Sequence, residues 1–142
     1  MSVSPLTPAP APASRGQCQV IDLVGKIAQI DGHWQPRVVA EMNDYQFKVV
    51  KLQGDFVWHQ HADTDETFIV LDGELRIDFR GASSGDGSMT LRAGQMAVVP
   101  KGVEHKPCAQ GEVKVLLIEP RGVANTGDGA VSERTVANDQ WV

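Results

Sequence analysis

Three of the four histidines in this chain, His59, His61 and His105, fall in two short segments bounded by glycines, and an acid, Glu66, follows His61 closely. Neutral imidazole nitrogens and one carboxylate oxygen form a mixed donor set that suits iron(II), manganese, nickel, cobalt or zinc better than magnesium or calcium. With four protein ligands, an octahedral ion keeps two positions for water, dioxygen or substrate. A closed structural zinc site is instead four-coordinate and usually thiolate-rich. Taken alone, two histidines on a strand are as readily polar residues on a wet face. The metal reading prevails because Glu66, His105 and the surrounding glycines accompany them.

The elements that must position these side chains follow from periodicity. His59 and His61 stand two apart on an expected strand over residues 56–61, so both leave the same face. After a polar loop at 62–65, a β-prone run at 66–71 is expected to return as an antiparallel hairpin and bring Glu66 alongside. His105 follows the Pro100-Lys101-Gly102 turn and approaches from a third strand. Gly73 and Gly102 occupy tight turns, and Pro100 fixes its own φ just before the second of them. Elsewhere, Val20, Leu23, Val24, Ile27 and Ile30 recur at helical spacing, which predicts one short amphipathic helix over 20–30 that stops before Gly32.

Strands are expected at 37–42 and 45–52, joined at Asn43-Asp44, with Gly54 ending the second. Asp72-Gly73 reads as a type I′ hairpin turn. The next strand, 74–80, sets Leu75, Ile77 and Phe79 on one face against Arg76, Asp78 and Arg80 on the other. A loop at 81–88 precedes strands at 89–92, 95–99 and 113–118. The stretch 120–130 has no period and is expected to cross the surface until Trp141 anchors it. Many short strands at near-even spacing predict an all-β sandwich or barrel.

Composition narrows the setting. A length of 142 residues suits one domain, and a net charge of −5 without any run of lysine or arginine argues against nucleic-acid and membrane-surface roles. Cys18 and Cys108 form no CxxC pair and no disulfide framework, which favours a reducing, cytoplasmic setting. Residues 1–16, rich in proline and alanine, lack the apolar run of a signal peptide and read as a disordered tail ahead of a single domain over 17–142.

The order Gly54, His59, His61, Glu66, Gly73 resembles the first cupin motif, and Gly94, Pro100, Gly102, His105 resembles the second. The resemblance covers residues 54–109. It departs in having four residues between Gly54 and His59, one fewer than usual, and Ala109 where asparagine is common; neither removes a ligand. It implies an antiparallel double-stranded β-helix, or jelly-roll barrel, of six to ten strands, often dimeric, with one divalent metal inside near an open end. The function implied is a metal-dependent enzyme acting on a small polar metabolite by oxygenase, isomerase or lyase chemistry, with Glu66 a ligand and not a base. The alternative is a non-catalytic, metal-bearing module that binds a small molecule. A metal-free epimerase or storage barrel conflicts with the full ligand set. A homodimer paired through sheet edges is expected, because a bare edge is a liability.

Other residues carry plainer expectations. His33 lies outside both motifs and reads as an exposed turn residue. Phe68, Val70, Phe47 and Trp58 read as core rather than pocket. Lys101, Glu104 and Arg76 read as solvated rim charges, Cys108 as a buried inert thiol, and Asp63 and Asp65 as makers of local turn hydrogen bonds.

Overall fold

A computed structural model describes residues 18–81, 85–128, 132 and 134–142. The proline- and alanine-rich stretch at 1–16 lies outside the described residues. Helix α1 (Leu23–Ala28) leads into strands β1 (Arg37–Met42), β2 (Tyr45–Asp55), β3 (Glu66–Asp72), β4 (Glu74–Arg80), β5 (Gly87–Arg92), β6 (Met96–Val99) and β7 (Glu104–Pro120). Every strand pairing is antiparallel.

The long β7 organises the barrel. Along one edge it carries β2, from Tyr45↔Pro120 to Asp55↔Cys108. Along the other it carries β3 and then β4, end to end, from Thr67↔Ile118 to Arg80↔Glu104. The register slips between Leu52 and Gly54 and between Val70 and Asp72, both opposite the middle of β7. Such irregularities bend a strand and tighten its twist. Aligned across three neighbours, they turn the ribbons through a corner, and β6 on β3 and β5 on β4 complete the jelly roll.

Gly73 shows what the corner requires. Its φ is +89°, and a Cβ there would lie 2.9 Å from the Glu112 carbonyl oxygen and 3.2 Å from Val113 Cα. Only glycine meets both demands without strain.

The corner also overturns the expected hairpin. β3 and β4 do not pair with each other, because both take β7 as partner, and of Asp72 and Gly73 only the glycine has positive φ. A type I′ turn needs two. Continuous pairing with β7 outweighs the local turn preference. For the same reason β2 runs through Gly54 and β7 runs through Gln110-Gly111, where breaks were expected. β5 begins at Gly87, inside the expected loop.

The helix is shorter than its pattern. Val20 and Val24 are exposed at 97 % and 67 %, with no surface to cover, while Ile27 and Ile30 are buried. A helix this short persists through packing and not through propensity. Ile27 and Ile30 pack with Val39, Val49 and Leu116 on the outside of the sheet, and Val50, Leu52, Phe68, Val70, Leu75, Ile77 and Val115 fill the barrel. β2 and β7 are therefore buried on both faces. Near the C-terminal end, Trp141 bridges Val38 in parallel, with Val38 N–H donating to Gln140 O at 2.7 Å and Val142 N–H to Val38 O at 3.2 Å. The expected anchor thus covers the open edge of β1.

Candidate metal centre

Residues 56–61 continue the line of β2 against β7, although only one residue pair forms a regular bridge. Phe56 N–H donates to Pro107 O at 2.9 Å, and His59 and His105 exchange backbone hydrogen bonds of 3.0 and 2.8 Å. These two histidines therefore stand directly opposite each other. Glu66 arrives differently from expectation. Residues 56–61 and β3 form no hairpin; Glu66 opens β3 and pairs with Val99 of β6. The turn at 62–65 brings it in, held because Asp65 Oδ1 accepts from Lys101 N–H at 2.9 Å and His61 O accepts from Gly102 N–H at 2.8 Å. The two motif loops are thereby fastened together, and Asp65, expected to bond locally within its own turn, instead reaches a backbone N–H 36 residues away.

The ring nitrogens have assignable roles. His59 Nδ1 lies 2.9 Å from Val57 O, and His105 Nδ1 lies 3.0 Å from Val103 O. A carbonyl oxygen only accepts, so each Nδ1 carries its hydrogen and each Nε2 offers a lone pair. His61 Nε2 is 2.5 Å from Glu66 Oε2, and His105 Nε2 is 3.8 Å from the same oxygen. Despite this proximity, His61 Nε2, Glu66 Oε2 and His105 Nε2 are all buried and have no partner in hydrogen-bonding geometry. Orphaned buried polar atoms are rare and costly. His105 Nε2, an acceptor because Nδ1 carries the hydrogen, faces the Glu66 carboxylate oxygen, an arrangement favourable only around a shared positive charge. One ligand atom from each of His59, His61, Glu66 and His105 lies within 4.8 Å of the others, and all four residues are buried. The donor set fits a divalent transition ion by chemistry, spacing and unmet polar demand together.

The protonation states of His59 and Glu66 agree. Burial, with the neighbouring His105 adding to it, pushes His59 down to about 4. Burial alone would raise Glu66, but His105 and His61 outweigh it and hold the carboxyl well below its ordinary range. For His61, burial pulls downward and the Glu66 carboxylate prevails, so its pKa is raised. A neutral His59 and an ionised Glu66 are the forms that ligate metal.

His59 and Glu66 open onto a cavity of about 30 Å³, walled by Trp34, Phe56, Phe68 and Leu117. Trp34 and Phe56 stack with centroids 4.8 Å apart.

Two further polar side chains reach the wall, Glu119 and Asn125. Glu119 Oε1 accepts from Lys48 Nζ at 2.7 Å, and both side chains are buried. Burial, then the charge of Glu66, raises Glu119 to about 7 against the opposing pull of Lys48. Sequence reasoning passed over this pair. The signal was available: Lys48 shares a strand face with Val50 and Leu52, and Glu119 with Leu117, so charges sit at core-facing positions. Asn125 lies in the aperiodic stretch and carries no such signal.

The remaining candidates sort clearly. Phe68 lines the cavity, Val70 fills the barrel, and Phe47 packs outside with the helix cluster. Trp58 is no core residue; the Arg80 guanidinium lies over its ring at 4.0 Å. Half-exposed His33 pairs with Glu112 at 2.8 Å. Arg76 pairs with Asp78 at 2.9 Å and Glu104 with Arg80 at 2.6 Å. Cys108 is buried, with Sγ 3.8 Å from Asp78 Oδ2.

Comparison with known proteins places the chain. The cupin domain model Cupin_2 matches residues 47–119. A crystal structure of a cupin-2 domain containing protein from Shewanella frigidimarina NCIMB 400 is 59 % identical, covers 72 % of this chain and 95 % of its own, and superposes with a TM-score of 0.67. The protein NMB1881 from Neisseria meningitidis is 39 % identical over 72 % of this chain and 99 % of its own, with a TM-score of 0.63. The uncharacterized protein YdbB of Bacillus subtilis is 38 % identical over 68 residues, and the matched stretch spans 57 % of that protein. Hydroquinone 1,2-dioxygenase from Sphingomonas sp. TTNP3, with 4-hydroxybenzoate bound, shares the fold at 23 % identity and a TM-score of 0.65, over 80 % of this chain and 36 % of that one. With the family model spanning half its length and both motifs in register, this chain belongs to the cupin domain family.

Proposed function

We propose that His59, His61, Glu66 and His105 hold one divalent transition metal, and that the protein is an enzyme using it on a small molecule within the barrel. The observation that carries this reading is the convergence of three buried ligand atoms that no hydrogen bond satisfies, His61 Nε2, Glu66 Oε2 and His105 Nε2. The family resemblance supports it, and the same fold serves a dioxygenase.

When bound, such an ion would polarise a ligated oxygen as a Lewis acid, or supply redox chemistry if it is iron. The chain's own part is positional. The Val57 and Val103 carbonyls fix the tautomers and ring planes of His59 and His105, so their lone pairs need no reorganisation. Glu66, as a ligand, would lower the charge of the centre. Trp34, Phe56 and Phe68 exclude bulk water, which strengthens electrostatic interactions inside. The substrate class is a small molecule with an oxygen to ligate and an apolar body to meet these walls.

Elemental analysis of protein purified without chelator should find near one metal per chain, and His59→Ala and His105→Ala should each lose it. Stoichiometric metal in both variants would refute the assignment. Oxygen uptake and product formation by the iron-loaded protein over a panel of small acids and hydroxylated compounds then separates an enzyme from a binding module. The reading includes a homodimer in the cytoplasm. Met96 and Val98 leave the outer strand β6 half exposed, both cysteines are free, and no helix among the described residues is long and apolar enough to cross a membrane. A monomeric mass by light scattering would remove the dimer.

A further inference from the structure

The buried pair Lys48–Glu119 lies beside apolar positions on both of its strands. The next inward-facing positions on the same two strands are Val50 and Leu52 on β2 and Leu117 and Val115 on β7, all buried. Taking both charges out of water can cost more than their attraction returns, and a well-packed apolar pair at such a site is often as stable. What the pair faces therefore matters.

Glu119 forms part of the cavity wall together with His59 and Glu66, whereas Lys48 does not reach that wall. One Glu119 oxygen takes the Lys48 ammonium at 2.7 Å. When ionised, above about pH 7, this carboxylate has about four lone-pair sites and donates none, so its remaining capacity is that of an oriented acceptor. Lys48 holds the group in place and offsets the repulsion of a second carboxylate near Glu66. The cavity thus presents the metal-ligand cluster, the Glu119 acceptor, and apolar rings of Trp34, Phe56 and Phe68 forming the rest of its wall.

We infer that Glu119, positioned by Lys48, is a specificity-determining residue that selects ligands bearing a hydroxyl or protonated amine beyond the atom that meets the metal. This inference rests on the metal reading above and narrows its substrate class. A ligand lacking that donor leaves a buried acceptor unsatisfied, which is the strongest form of discrimination a small site can exert.

The test uses the full chain loaded with cobalt(II), whose visible spectrum reports ligation, and three probes: azide, 3-hydroxypropanoate and propanoate. Azide reports that a metal position is open. The wild-type protein should bind 3-hydroxypropanoate about tenfold more tightly than propanoate or better, the worth of one hydrogen bond to a charged group. Glu119→Gln should bring that ratio close to one while azide still binds. Should the single variant misfold, the double variant Lys48→Met/Glu119→Leu replaces the pair with apolar residues of similar size and should lose the preference in the same way. Equal affinities in the wild type, a preference that survives in either folded variant, or azide binding without response to either acid would overturn the inference and leave the metal reading standing. Failure to take up cobalt would overturn both.

Discussion

Lys48→Met is the most informative single perturbation of the barrel interior. Lys48 Nζ and Glu119 Oε1 are 2.7 Å apart, with side chains only 6 % and 3 % exposed. Deleting the cation leaves an ionised carboxylate on a wall it shares with Val50, Leu117 and Phe68, and breaking a buried pair in this way costs about 3–5 kcal/mol. Against a typical total of about 5–15 kcal/mol, that is a large share of the domain's stability. The cost should depend on pH, and its sign follows from Glu119. Its folded pKa is raised to about 7 even with Lys48 present, so between the ordinary carboxylate range and about 7 the folded state binds more protons than the unfolded one. Stability contributed by this group is therefore full below that window and is lost as pH rises through it. In Lys48→Met the raised pKa moves further up. At pH 5 the variant carries a neutral acid and should lose only about 1–3 kcal/mol, the cost of a poorly satisfied polar group. At pH 8 it should lose the full amount. Urea unfolding of the chelated protein, followed by the fluorescence of Trp34, Trp58 and Trp141, measures both midpoints at a common slope. The double variant Lys48→Met/Glu119→Leu should fall within about 1 kcal/mol of wild type or exceed it. A single variant that costs under about 1 kcal/mol at pH 8, or a double variant as unstable as the single, would refute the reasoning.

Gly73→Ala should destabilise more than Gly102→Ala. Both positions have positive φ, but only at Gly73 does the added Cβ also meet backbone, at Glu112 and Val113. The backbone angle alone costs about 1–2 kcal/mol, so Gly102→Ala should lose about that and Gly73→Ala clearly more; a reversed order of urea midpoints would contradict the corner described for β3 and β4. In metal-free protein, His59 is held to about 4 by burial, so unfolded chains take a proton that the folded state refuses. Its contribution is present above about 6.5 and lost as pH falls toward 4, by about 3 kcal/mol. His59→Gln should flatten this acid limb of the stability curve, and an unchanged limb would show that His59 is not the group responsible.

Much of the site was legible before any coordinates. Side-chain type announces ligand chemistry directly, and the spacing of His59 and His61 with the glycines around them pointed to a cluster containing Glu66 and His105. The alternation of Leu75, Ile77 and Phe79 likewise identified the inner face of β4, because a strand's two faces are encoded by local period alone. Local period does not encode partners. Asp72-Gly73 carries the composition of a hairpin turn, yet it lies at the corner of a continuous ribbon, because β7 offers β3 and β4 a shared edge far away in sequence. Lys48 and Glu119 are 71 residues apart, and each alone reads as an ordinary strand charge. Only closure of the barrel decided that they meet in the dry interior beside the histidines, since burial is a property of the assembled sheet and not of any segment within it.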